Sequence, residues 1–182
     1  MTRSAAHRLP GGGGRRAWRA AARAAWLPAL LALLALAACP LPARDLGEEQ
    51  APGTEYGALE WELFQRVSLH RHSLGLPRLR FDQGLADIAR AHSVNMAFGA
   101  VPFSHENFQL RVQLSVKLGF RGLGENVAYN DYPPDTTAAV ALAGLVASPP
   151  HRRTMEGSWT RTGVGVARSP GGSWYYTQLF GR

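Results

Sequence analysis

Three short polar segments interrupt an otherwise apolar, glycine-punctuated chain: Phe103-Ser104-His105, Gly124-Glu125-Asn126 and Ser148-Pro149-Pro150-His151. Each places a titratable side chain where a loop meets a regular element. Rigid punctuation precedes each: Pro102 before the first, Gly122 and Gly124 before the second, Pro149 and Pro150 before the third. Loops fixed in this way are how a scaffold aims polar groups. Two imidazoles and one carboxylate meeting at a point could hold a divalent cation, because neutral His and Glu both suit Zn²⁺. They could also activate water in a metal-assisted hydrolysis, or form a hydrogen-bonded cluster that pins the loops. Spacing along the chain does not choose among the three. Ser104 beside His105 does not make a serine hydrolase, since adjacent side chains rarely point at each other and no acid follows at useful spacing.

The elements that must position these residues are legible from periodicity. Tyr56, Leu59, Leu63, Val67 and Leu74 fall on one helical stripe, with Glu60, Glu62 and Arg66 off it. Gly75 and Pro77 stop that helix, and Leu79 to Phe81 is a brief extended link. Asp82 suits an N-cap, and Leu85, Ile88, Ala89, His92 and Met96 then line one face of a second helix. His92 on that face reads as a buried imidazole bonded to backbone; His70 and His72, at the end of the first helix, read as surface residues. Phe108 to Leu118 predicts a third helix closed by Gly119, and Gly124 to Asn130 a short strand. Asp135 can cap a fourth helix, Thr136 to Val146, apolar almost all round and therefore expected to be buried. A short helical turn from His151 to Met155 follows.

The last segment changes character. Gly163 to Arg168 alternates Val164 and Val166 with small residues, Ser169-Pro170-Gly171-Gly172 is a turn, and Ser173 to Phe180 is aromatic and β-branched, which predicts a hairpin. Trp174 and Tyr176 should share one face and Tyr175 the other, with Phe180, Tyr176 and Gln178 on the buried side. Gly163-x-Gly165 opens a strand rather than a helix, so it is no phosphate loop; glycines alternating with valine imply a close approach to that strand. Helices first and an antiparallel hairpin last predict an α+β domain with helices packed on a small antiparallel sheet.

Charge is distributed unevenly. The formal charge is +7, but six of the twenty basic residues precede Cys39 and all thirteen acidic residues follow it. From Cys39 onward fourteen basic face thirteen acidic side chains, a net of about +1, which removes the electrostatic case for nucleic acid. The first 38 residues have the parts of an export signal: a basic start, an uncharged apolar stretch from Ala24 to Ala38, and a small-residue end. That stretch is shorter than the roughly 20 residues of a spanning helix. Leu36-Ala37-Ala38-Cys39 resembles the lipobox of bacterial lipoproteins, which implies acylation of Cys39 and attachment to a membrane facing the extracytoplasmic side. Cys39 is the only cysteine, so it has no disulfide partner within the chain. Pro40 rather than Asp follows it, which tilts the expectation toward an outer membrane in a two-membrane cell. The expected organisation is a leader over 1–38, a Pro/Gly/Glu-rich tether over 39–54 and one folded domain over 55–182.

Six motifs in order carry a further resemblance. Phe81-Asp82-x-x-Leu85 leads to Ala89-Arg90-Ala91-His92-Ser93-x-x-Met96-Ala97. Phe103-Ser104-His105, Gly124-Glu125-Asn126-Val127-Ala128, Ser148-Pro149-Pro150-His151-Arg152, Gly163-Val164-Gly165-Val166-Ala167 and Tyr176-Thr177-Gln178-Leu179-Phe180 follow. Together they resemble the CAP superfamily of cysteine-rich secretory, venom antigen and pathogenesis-related proteins, in its bacterial SCP-like form, over roughly Tyr56 to Gly181. The resemblance implies an α-β-α sandwich and a cleft with two His and two Glu. His105 matches the first His, Glu125 the first Glu and His151 the second His. The second Glu belongs to a Trp-x-x-Glu pattern that here reads Leu145 and Ser148, so the cleft is expected to be less acidic and a zinc site open or weak. Family association with lipids and sterols implies a non-enzymatic binding module for a lipid, glycan or peptide. Proteolysis proposed for some members implies the alternative, a metal-assisted hydrolase using His105, Glu125 and His151.

Overall fold

The computed structural model describes residues 55–182; the leader, Cys39 and the tether lie outside the described residues. Five helices surround a four-stranded sheet. In chain order they are α1 (Glu55–Ser73), β1 (Arg80–Phe81), α2 (Gln83–Ala97), α3 (Phe108–Lys117), β2 (Leu123–Asn130), α4 (Thr137–Ala147), α5 (Pro149–Met155), β3 (Arg161–Arg168) and β4 (Trp174–Gly181). The sheet order is β1-β3-β4-β2. β4 pairs antiparallel with both β2 and β3. The extended link at Leu79–Phe81 contributes a two-residue strand parallel to β3, so the sheet is mixed rather than wholly antiparallel. Among the described residues no helix is long and apolar enough to cross a membrane.

Helices cover both faces, giving the α-β-α sandwich. On one face Leu59, Leu63, Phe64 and Val67 of α1 meet Ala138 and Ala141 of α4, Met155 of α5, and Val164, Val166, Trp174, Tyr176 and Phe180 of the hairpin. Fully burying each larger side chain here contributes about 1.5–3 kcal/mol. On the other face Leu85 and Ala89 of α2 pack with Phe120 and Leu179. The expected alternation in β4 holds: Trp174, Tyr176, Gln178 and Phe180 are buried and Tyr175 points to the opposite side.

The seam between α2 and β3 depends on glycine. A Cβ on Gly163 would lie 2.2 Å from the Ala86 nitrogen, and one on Gly165 2.0 Å from the Arg90 nitrogen. The glycine–valine alternation therefore lets helix backbone rest directly on strand backbone, which fixes the position of everything α2 carries. Asp82 caps α2 as expected, its Oδ1 accepting from the Leu85 amide at 3.0 Å.

Five expectations are corrected. Glu60 lies inside, fully buried: Oε1 accepts from the Val166 amide at 3.0 Å and the carboxylate takes Arg90 Nε and Nη2 at 2.8 and 2.6 Å. β1 covers β3 only at Arg161 and Thr162, so Glu60 satisfies a strand amide beyond the reach of β1. Leu74 lies past the helix end and is exposed. Asp135 does not cap α4; Thr136 occupies the N-cap without a side-chain bond, and Thr137 instead ties α4 to the sheet through Asn130 Oδ1 at 2.6 Å and Tyr176 Oη at 2.8 Å. Only one face of α4 is buried, since Ala143, Gly144 and Ala147 are exposed; small residues give an apolar sequence without enough bulk to be covered all round. His70 is not free at the surface either, its Nε2 lying 2.9 Å from Glu156 Oε1.

Candidate functional site

Three separately anchored elements bring the predicted residues together. The loop between α2 and α3 carries His105, and it is tied down by His92, which is buried and whose Nε2 donates to the Ser104 carbonyl at 3.0 Å. That is the backbone-bonded role the sequence predicted. Burial, and then the nearby Arg111 charge, hold the His92 imidazole below its ordinary pKa, so it sits neutral under the loop. β2 carries Glu125 opposite Leu179 of β4. α5 carries His151, whose carbonyl accepts from Asn126 Nδ2 at 3.0 Å. The far end of α5 is held by Arg71 of α1, buried, donating to the carbonyls of Met155 at 2.7 Å and Gly157 at 2.9 Å.

The His105 and His151 ring centroids are 6.4 Å apart, tilted by 40°. His105 Nδ1 donates to Glu125 Oε1 at 2.8 Å. The side chain of His105 is 50% exposed whereas that of Glu125 is 2% exposed, so the imidazoles form the rim and the carboxylate the floor. Burial, and secondarily the His105 ring, push the His151 pKa down. Ser148 and Leu145, where the resemblance expected Glu and Trp, sit at the α5 N-cap and in the α4 core.

The floor contains a residue the sequence reading missed. Arg111 of α3, itself buried, donates Nη2 to Glu125 Oε1 at 2.7 Å and Nε to Oε2, and Nη1 to the Glu106 carbonyl at 2.8 Å. α3 is turned polar side inward: Arg111 and Ser115 are buried while Leu110 and Val116 are exposed. A bidentate guanidinium matches a carboxylate in charge and shape. Both Glu125 oxygens are thereby engaged, and a cation using Glu125 as a ligand would have to compete with the Arg111 charge. Among the described residues, no group of three or more His, Cys, Asp or Glu is disposed to hold a metal ion. Arg111, Glu125 and His105 form a hydrogen-bonded chain in which Glu125 orients His105 and fixes its tautomer.

Residues 64–180 match the cysteine-rich secretory protein family, CAP. A Bacillus subtilis (strain 168) protein named as the uncharacterized membrane protein YlbC is 33% identical over 128 residues, which are 66% of this chain and 34% of that protein. An extracellular protein of Bacillus anthracis containing an SCP domain superposes with a TM-score of 0.59 at 31% identity, over 70% of this chain and 41% of its own. An outer surface protein of Borrelia burgdorferi shares the fold at a TM-score of 0.58 and 16% identity, over 69% of this chain and 92% of its own. The chain thus spans about a third of the length of its curated Bacillus subtilis relative.

Proposed function

This chain belongs to the cysteine-rich secretory protein (CAP) family, and on that premise we propose that it is an exported, lipid-anchored binding module of a bacterial envelope. Its His105–Glu125–His151 cleft takes a lipid, glycan or peptide without transforming it. The observation that carries this reading is the engagement of Glu125 by Arg111 and His105. A general base works best with lone pairs free to take a proton from water, and three of the roughly four acceptor positions of Glu125 are taken by His105 and Arg111. The lipobox-like Leu36-Ala37-Ala38-Cys39 supports anchoring through Cys39, and an extracellular and a membrane relative in the bacilli are in keeping with an extracytoplasmic position.

The alternative, hydrolysis by a zinc ion on His105, Glu125 and His151, makes a different forecast. The full-length chain is extracted from membranes and weighed by mass spectrometry for metal and small molecules, alongside Glu125→Gln and Cys39→Ser. The binding reading expects an organic ligand to co-purify, no loss of metal on Glu125→Gln, and a stability cost on the order of 1–3 kcal/mol from the mismatched Arg111. It also expects the membrane-bound fraction to vanish with Cys39→Ser. Stoichiometric zinc that leaves with Glu125→Gln would overturn this reading in favour of the metal-assisted alternative.

A further inference from the structure

We propose that the end of the sheet where β1 and β3 begin is a membrane-docking surface that seats on anionic phospholipid headgroups. The proposal rests on the lipid-anchored reading above and says which end of the domain the anchor brings to the membrane.

The sheet register gathers cations at this end. Arg80 pairs with Arg161, Arg161 with Gly181, and Gly181 with Leu123, so all four strands share one terminal row. Arg182 and Arg121 lie just beyond it, the Arg121 amide donating to the Arg182 carbonyl at 2.7 Å. These four arginines are exposed. Two acids lie here too, Asp82 at 3.4 Å from Arg161 and Glu156 at 2.9 Å from His70, and they leave the end net positive. The other end differs. There Asn130 and Trp174 close the sheet, Asp131 and Asp135 are exposed, and Arg168 lies over the Trp174 ring at 4.8 Å. Charge is polarised along the strands, over about 26 Å for eight residues.

Apolar groups select a bilayer over other polyanions. Leu118, 48% exposed, follows Lys117 and meets the start of α2, where a Cβ on Gly84 would lie 2.8 Å from it. Leu74, 52% exposed, stands past the end of α1, which Arg71 ties to the Pro77 carbonyl before β1. Trp159 is half-buried, with the Arg182 guanidinium 5.4 Å over its ring. A purely charged polymer gains nothing from exposed leucine, whereas headgroups with acyl carbons beneath them accept both kinds of group. Indole and guanidinium, each apolar in body and polar at the tip, suit that boundary.

The anchor makes a weak attraction sufficient. Residues 39–54 reach up to about 55 Å when extended, so either end of the domain can touch the membrane. Charge decides between them. α1 begins at the acidic end, Tyr56 meeting Trp174 ring to ring at 6.2 Å. In the segment before it Asp45, Glu48 and Glu49 outnumber Arg44, and anionic lipid repels these acids with Asp131 and Asp135. Glu125 lies two residues inside the basic row, about 7 Å along the strand. Docking therefore brings the His105–Glu125–His151 cleft close to the headgroups.

The test uses the chain as extracted from membranes, reconstituted in vesicles of phosphatidylcholine alone or of phosphatidylcholine with phosphatidylglycerol. Both carry brominated acyl chains, which quench tryptophan on contact. Flotation with the neutral vesicles reports the anchor; quenching that requires phosphatidylglycerol reports docking. That quenching is expected, and it should vanish in about 1 M salt, where the Debye length is about 3 Å. Combining Arg80→Gln, Arg121→Gln and Arg161→Gln should shift the docked fraction about a hundredfold toward release, at about fivefold per arginine. Arg168→Gln should leave it unchanged. Loss of the signal in Trp159→Phe assigns it; if thermal melts show that variant unfolded, salt and the arginine variant decide. No quenching, equal quenching in both vesicles, or an anionic signal indifferent to the three arginines overturns the docking surface and leaves the anchor standing. Failure to float with neutral vesicles overturns the anchor instead, and arginine-dependent capture by the anionic ones then still supports the surface.

Discussion

Among the described residues two buried glutamates each take a bidentate arginine, Glu60 from Arg90 and Glu125 from Arg111, and they have different surroundings. Glu60 on α1 takes both Nε and Nη2 of Arg90 on α2 and the Val166 amide. Glu60 itself is fully buried, while Arg90 keeps about a third of its side chain in water and also meets Asp87 on its own helix. Glu125 has the same bidentate guanidinium from Arg111, but its third donor is His105, half in water and facing His151. A buried carboxylate therefore does not by itself mark a site. What sets Glu125 apart is that its solvent-reaching partner is an imidazole facing a second imidazole, not an arginine tied to a neighbouring aspartate, so whatever binds outside feels the charge fixed inside.

That contrast can be broken most sharply at Arg90. Arg90→Met strands the fully buried Glu60 and should cost about 3–5 kcal/mol in urea unfolding; replacing Glu60 by Met as well should recover much of it, because a buried pair is often exchangeable for apolar groups. Arg111→Met should cost less, about 2–3 kcal/mol, since His105 remains to face Glu125. If the two losses are equal, His105 does not share the charge of Glu125 and the distinction drawn here fails. The smallest effect is one of pH. Burial lowers the pKa of both His92 and His151, so the unfolded chain binds protons that the folded chain refuses. Their contribution is complete above the ordinary histidine value of about 6.5 and is lost as pH falls through that value toward the lowered ones. Thermal melts from pH 8 to pH 5 should show a declining midpoint, shallower in His92→Gln, whose amide can still donate to the Ser104 carbonyl. A midpoint that is flat over this range would contradict both shifts.

The contrast also shows what a sequence discloses. Asp82, the face of α2 and the Gly163/Gly165 seam were legible because their causes are local: a cap, a 3.6-residue period and a missing Cβ. His105, Glu125 and His151 were legible as motifs, and the structure brings them to one place. Glu60 and Arg111 were not. Helical periodicity assigns charges outward by default, and each of these finds its counter-ion on another element, 30 and 14 residues away. In α3 the one available signal was a reversed stripe, with Arg111 and Ser115 aligned on one side and Leu110 and Val116 on another. The basic end of the sheet was hidden for a related reason. Arg80 and Arg161 become neighbours only through the register of β1 with β3, which depends on the whole sheet.

The strand order has a consequence for how the fold is made. β4 is the last strand in sequence, yet it lies inside the sheet, bonded to β2 on one side and β3 on the other. β2, which holds Glu125, has no strand to pair with until β4 is synthesised, and its ladder is a contact between residues about fifty positions apart, of the kind that forms slowly. The domain cannot be completed piecemeal from its first residues onward. Its sheet closes only once β4 is present, so the floor that holds Glu125 is among the last parts of the fold to be secured.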